Sequence, residues 1–258
     1  MQSWKSPVYA SGRIELNIIG DWISAVGTIA NLLVKNPIYA VLLIGLSAID
    51  AIPFTFPGLT LAEELIILYI SYSVIKLTWA RINGLDEKTV LSEFRGAEKR
   101  IVGVSFTYGI RCFLYGLLLV VPGIIFGIRS SIALAVTCLE ELPINESFKR
   151  SSDLLKGNMW TATKYMFLMP LMFFIFAVGG QIGWSAYFDA NKSLPSPVDL
   201  KVLDHAATFI FSFSVSMLQM CTASVMVRMY AYAKGRQDKG AAADAYVSGP
   251  ETPKWDKS

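Results

Sequence analysis

Histidine occurs once in this chain, at His205, and cysteine three times, at Cys112, Cys138 and Cys221, with no CxxC pair. That scarcity removes most metal and thiol chemistry. Zinc sites want several Cys or His ligands at close spacing, and thiols set inside apolar runs behave as buried, inert side chains. His205 opens the last apolar stretch and reads as an interfacial residue, not a ligand or base. Charge is also thin: Asp, Glu, Lys and Arg make up 17% of the residues, against about 25% in soluble domains. A net charge of +3 is too small to imply nucleic acid. No HExxH, Walker loop, GxSxG or dinucleotide fingerprint occurs, and Gly179-Gly180 sits in an apolar run where small residues serve helix packing. No enzyme activity, cofactor or metal is expected. The opening MQSWKSPVYASGR has no continuous apolar core of a cleavable signal peptide, so insertion is expected to rely on the first spanning helix.

What the chain does have is apolar length. Apolar residues make up 53%, mean hydropathy is +0.47, and the charges cluster in blocks between apolar runs. A spanning helix needs about 20 mainly apolar residues. Six segments meet or approach this: Ile38–Phe56, Leu59–Trp79, Ile101–Val121, Ile124–Leu139, Thr161–Ala186 and His205–Val227. The third and fourth are joined at Val121-Pro122-Gly123 and read as one helical hairpin. With the N-terminus inside, eighteen of the 23 basic residues fall in inner segments, two (Lys192 and Lys201) in outer loops and three within spans. Basic residues are retained on the cytoplasmic side, so both termini are expected there. Residues 1–238 form one helical membrane domain, and 239–258, rich in Ala, Gly and Pro, form a disordered cytoplasmic tail.

Three further segments are amphipathic and are assigned to the inner surface. In Ile14–Val34, the residues Ile18, Ile19, Trp22, Ile23, Val26, Ile29, Ala30 and Leu33 form one stripe, with Asp21, Ser24 and Thr28 mostly away from it. The competing reading is a seventh span, which Glu15 and Asp21 make costly. Glu87–Arg100 is the second. Pro143–Lys156 is the third, with Ile144, Phe148, Ser151 and Leu155 on one side and Gly157 after its end. Each precedes a pair of spans, as either a threefold repeat or independent use of surface helices would produce. The architecture expected is all-α: six spanning helices in three hairpins, braced by about three cytoplasmic interfacial helices.

Ionisable residues inside spans are expensive and mark candidate sites. Asp50, Glu63, Glu64 and Arg129 lie at similar depths below the outer surface, and Arg111 falls near the middle of the third segment. A cluster of these carboxylates with Arg129 reads either as a solute, ion or headgroup site, or as a structural ion pair between hairpins.

The stretch VVPGIIFGIRSSIALAVTCLE followed by ESFKRSSDLLKGNMW resembles the bacterial integral-membrane family named after the glycerophosphoryl diester phosphodiesterase membrane domain. The matching positions are Pro122, Gly123, Ile124, Arg129, Glu140, Lys149, Arg150, Ser151, Gly157 and Asn158, and the Lys35-Asn36-Pro37 entry is similar as well. The resemblance implies a six-helix membrane module without the soluble phosphodiesterase barrel, and hence no phosphodiesterase activity. The role expected is a scaffold or regulator in the bacterial cytoplasmic (inner) membrane, with membrane lipids and either protein partners or a second copy as its contacts. The alternative is a transporter or lipid-handling protein built on the charged cluster around Arg129.

Overall fold

The computed structural model describes residues 17–50, 57–86, 98–118, 120–165 and 197–248, and single positions between 171 and 186. It is all-helical, with no strand among the described residues. In chain order the helices are α1 (Ile18–Lys35), α2 (Pro37–Asp50), α3 (Pro57–Asn83), α4 (Glu98–Leu118), α5 (Val120–Ser130), α6 (Ala133–Glu140), α7 (Ile144–Leu155), α8, continuous over 159–165, and α9 (Pro197–Ser248). Among the described residues, three stretches are long and apolar enough to cross a membrane: Ile18–Lys35, Glu64–Asn83 and Asp204–Asp238.

The central element is α3. Every residue from Ile70 to Ala80 is buried, as expected for a helix that is apolar all round. It packs on α9 through a buried hydrogen bond between the Thr78 and Ser224 hydroxyls at 2.9 Å. Its other flank meets α2, where Tyr39 reaches Ser73 at 3.3 Å and faces the ring of Tyr69. Gly84, at φ +64°, ends the helix in the left-handed turn that glycine adopts without a Cβ penalty.

Outside this core the burial pattern is inverted relative to a soluble protein. Ile19, Ile23, Val26, Val34, Phe106, Phe113, Leu117 and Ile210 are all exposed, whereas Ser47, Ser71, Ser73, Ser216 and Ser224 are buried. So much exposed apolar surface marks a face that meets something other than water. Buried hydroxyls bond back to their own helices, as Ser47 does to Leu43 O at 3.0 Å.

The same inversion shows in the first amphipathic helix. Ile19, Ile23, Val26 and Ala30 of the apolar stripe point outward, while Asp21 and Thr28 are buried with Trp22, Ala25, Ile29 and Leu32. Polar partners supplied by other helices explain the reversal: Arg228 takes Asp21 at 2.7 Å and Arg81 donates to Thr28 at 3.0 Å. Asn17 caps the helix, accepting from Gly20 N–H, and its own N–H donates to the Asp21 carboxylate.

Two boundaries also differ from expectation. Pro122 and Gly123 lie within the first turn of α5 and do not form the turn before it; a proline there forfeits no intrahelical bond, since first-turn N–H groups have no partner anyway. The expected span Ile124–Leu139 is broken into α5 and α6 at Ser130-Ser131-Ile132. The break is sealed by hydroxyls. Ser131 bonds Ile128 O at 2.8 Å, and the fully buried Ser151 of α7 donates to Arg129 O at 2.7 Å. The third amphipathic segment is therefore helical as expected, with Phe148, Ser151 and Leu155 facing inward.

Helix α9 continues through Ser248, ten residues into the stretch expected to be a tail, where Ala-rich sequence favours helix; residues 249–258 lie outside the described residues. So do most of Glu87–Arg100 and half of Thr161–Ala186.

Replacing Ser151 by Ala leaves the Arg129 carbonyl without its donor. The variant is expected to lose about 1–3 kcal/mol of stability, read by unfolding in detergent. An unchanged transition would show that the break does not depend on this bond.

Candidate functional site

Residues 140–158 and the polar end of α9 build the densest polar constellation among the described residues. Glu140 is the last residue of α6. Glu141 follows in the left-handed region at φ 55°, and the chain reverses through Pro143 into α7. Nearly two helical turns into α7, Arg150 Nε donates to Glu140 Oε2 at 3.1 Å. From α9, the Tyr230 hydroxyl donates to Glu140 Oε1 at 2.8 Å, and Lys234 Nζ reaches the same oxygen at 3.4 Å and Tyr230 Oη at 3.0 Å. Arg150 also donates to Gln237 Oε1 at 3.0 Å, and the Tyr230 ring packs edge-on against Trp79 of α3 at 5.6 Å. A single carboxylate thus binds α6, α7 and α9, and through Tyr230 the central helix.

Burial by itself would raise the Glu140 carboxyl. The Tyr230 hydroxyl, then the Arg150 and Lys234 charges, outweigh burial and hold the group below the usual carboxylate range. A second junction repeats the logic: Arg228 on α9 bonds Asp21 and the Ser24 hydroxyl of α1.

Of the residues matched to the resemblance, Glu140 and Arg150 meet each other. Ser151 holds the helix break, and Gly157, at φ +83°, makes the turn after α7. Asn158 Oδ1 accepts from Arg236 of α9 at 2.9 Å. Lys149 and Pro122 are exposed, and Gly123 lies in the first turn of α5. Of the intramembrane candidates, Arg111 faces α7, donating to Asn145 Oδ1 at 2.9 Å with its guanidinium 4.9 Å from the Phe148 ring centroid. Arg129 and Glu64 are both exposed and do not pair with each other. Asp50 ends α2 and Glu63 lies in α3, but their side chains lie outside the described residues, so the expected carboxylate cluster is described only at Arg129 and Glu64.

Three residues central to these junctions were not foreseen from the sequence, Tyr230, Lys234 and Arg228, which carry the α9 side; nor was the buried Lys76 of α3, set 5.8 Å from the Tyr72 ring centroid. The available signal was spacing. Tyr230 and Lys234, like Tyr232 and Arg236, are four apart, so each pair shares one face of α9.

No group of three or more His, Cys, Asp or Glu among the described residues is placed to hold a metal ion. No protein-family model, curated protein or solved structure matches the chain. Chemically, the arrangement holds helices together by charge; its carboxylate is already saturated by three donors.

Because the folded value of Glu140 is lowered, its contribution is complete above the ordinary carboxylate value and is lost as pH falls through the lowered folded value. Glu140→Gln is expected to cost about 1–3 kcal/mol at neutral pH and to flatten the acid limb of a stability–pH curve. An acid limb identical to wild type would exclude Glu140 as its source.

Proposed function

We propose that the chain is a non-enzymatic, multi-pass protein of the bacterial cytoplasmic membrane that scaffolds or regulates partners there. The carrying observation is that its best-connected polar groups are engaged with one another across helices. Glu140 is taken by Arg150, Tyr230 and Lys234, and Asp21 by Arg228. Such groups hold a shape; they are not poised to move protons or bonds. The resemblance to the glycerophosphoryl diester phosphodiesterase membrane domain agrees, since it implies a membrane module and not an activity.

In this reading six helices cross in three hairpins, with both termini cytoplasmic and α7 lying along the inner surface. The exposed apolar residues of α4 and α9 support lipid-facing walls. The first helix is apolar and long enough to cross, yet its polar residues are held by Arg228 and Arg81, which lie just beyond the expected inner ends of their spans at Val227 and Trp79. That pairing supports an interfacial α1. Lipids, together with protein partners or a second copy, are its contacts.

A second reading, transport or lipid handling around Arg129, is favoured by one observation: the Arg129 side chain is exposed on α5, in a hairpin otherwise faced by apolar residues.

In cells carrying a variant without native cysteines, a membrane-impermeant maleimide is expected to label Ser196→Cys from outside and to reach Ser3→Cys only after the cells are opened. Reversed labelling overturns the topology. For the role itself, mild cross-linking in membranes is expected to capture a stoichiometric protein subunit or a homo-oligomer. A protein that stays monomeric and moves a solute across proteoliposome walls would displace the scaffold reading.

A further inference from the structure

Three other arginines of the described structure have carboxylate partners, Arg100 with Glu141, Arg150 with Glu140 and Arg228 with Asp21, and Arg236 is taken by Asn158 and the Tyr232 hydroxyl. Arg111 and Arg129, set within the apolar α4–α5 hairpin, pair with no carboxylate among the described residues. Both meet α7, Arg111 through its side chain and Arg129 through its backbone carbonyl. Arg111 lies against Asn145 and Phe148, and the Arg129 carbonyl takes the Ser151 hydroxyl three residues further on. The floor between them is aromatic, with Phe126 packed between Tyr108 and Phe148 at 6.3 and 6.0 Å. Lys149 adds a third, exposed cation on α7, while Glu146 and Asp153 are exposed on the same helix. Above Arg111 the hairpin is openly apolar: Phe113, Leu114 and Leu117 on α4, Ile124 and Ile125 on α5 are exposed.

Unpaired guanidinium groups bordering an apolar wall ask for an anion that carries hydrocarbon with it. Arginine binds phosphate oxygens in a planar, two-pronged geometry, and basic pockets between membrane helices take anionic headgroups. We infer that Arg111 and Arg129 hold the phosphate of an anionic phospholipid at the seam of α4, α5 and α7, with its acyl chains along Phe113, Leu117 and Ile124. This rests on the membrane reading above and gives the lipid-handling alternative a defined ligand. Glu140 and Glu141 are already taken by Arg150, Lys234 and Arg100.

The test uses the full chain in nanodiscs of equal phosphatidylglycerol and phosphatidylcholine, released into native mass spectrometry. Wild type is expected to retain phosphatidylglycerol in preference to phosphatidylcholine. Arg111→Gln/Arg129→Gln is expected to lose about tenfold in that retention, and Arg111→Lys/Arg129→Lys to keep most of it. Equal retention by wild type and a folded Gln variant, judged by circular dichroism, overturns the site. If the Gln variant does not fold, the wild-type preference decides: no selectivity between the two lipids overturns it. Inorganic phosphate bound by lipid-free wild type, with no lipid selectivity, assigns the arginines to a soluble anion and overturns it too. Wild type that does not enter nanodiscs at all defeats the membrane reading first, a failure distinct from insertion without selectivity.

Discussion

Glu140 accepts three side-chain hydrogen bonds from two other helices, and the arrangement of the helix ends depends on them. Its carboxylate sits where α6 stops and the chain turns back into α7. Arg150 sets the angle of that return, and Tyr230 with Lys234 sets where α9 crosses it. Because the Tyr230 ring leans on Trp79, the position of the central helix is coupled to the same carboxylate. A partly buried charge held this way is costly to strip of one partner, because the remaining ions stay desolvated. Such a junction therefore fixes position more than it adds net stability.

On the other side of α7, Ser151 does the complementary work. The helix running from Val120 to Glu140 breaks at Ser130–Ile132, which frees carbonyls that would be expensive in an apolar surround. The Ser151 hydroxyl answers one of them. With Glu140 and Arg129 both held, α7 is clamped along its length, and Gly103 on α4 lets Ile144 at its start come close: a Cβ there would lie 2.6 Å from the Ile144 Cδ1. The bracket thus links both arms of the α4–α5 hairpin to the end of α9.

Much of this was legible in the sequence. The all-helical character followed from apolar runs separated by charge blocks; the span Leu59–Trp79 lies within α3, and Pro143–Lys156 matches α7 to within a residue or two. The motif carrying the resemblance contained the side chains that build the junction, Glu140, Arg150, Ser151 and Asn158. What could not be read was their partners, since Tyr230, Lys234 and Arg236 lie more than seventy residues away along the chain. Periodicity located the apolar stripe of α1 but could not say which face turns inward, because that depends on whether an arginine waits opposite Asp21. Asp50 and Glu63 remain candidates by depth alone.

By itself the sequence determined the all-helical character, the core helix around Leu59–Trp79 and the bounds of α7. These arise from local propensity and from hydrophobic length, which act within a few residues. Only the tertiary structure decided which polar groups are satisfied by whom, that Asp21 and Thr28 of α1 turn inward, and that Arg111 and Arg129 both meet α7. Those outcomes depend on matching donors to acceptors across helices, and in a low-dielectric interior each match is worth enough to override the local pattern.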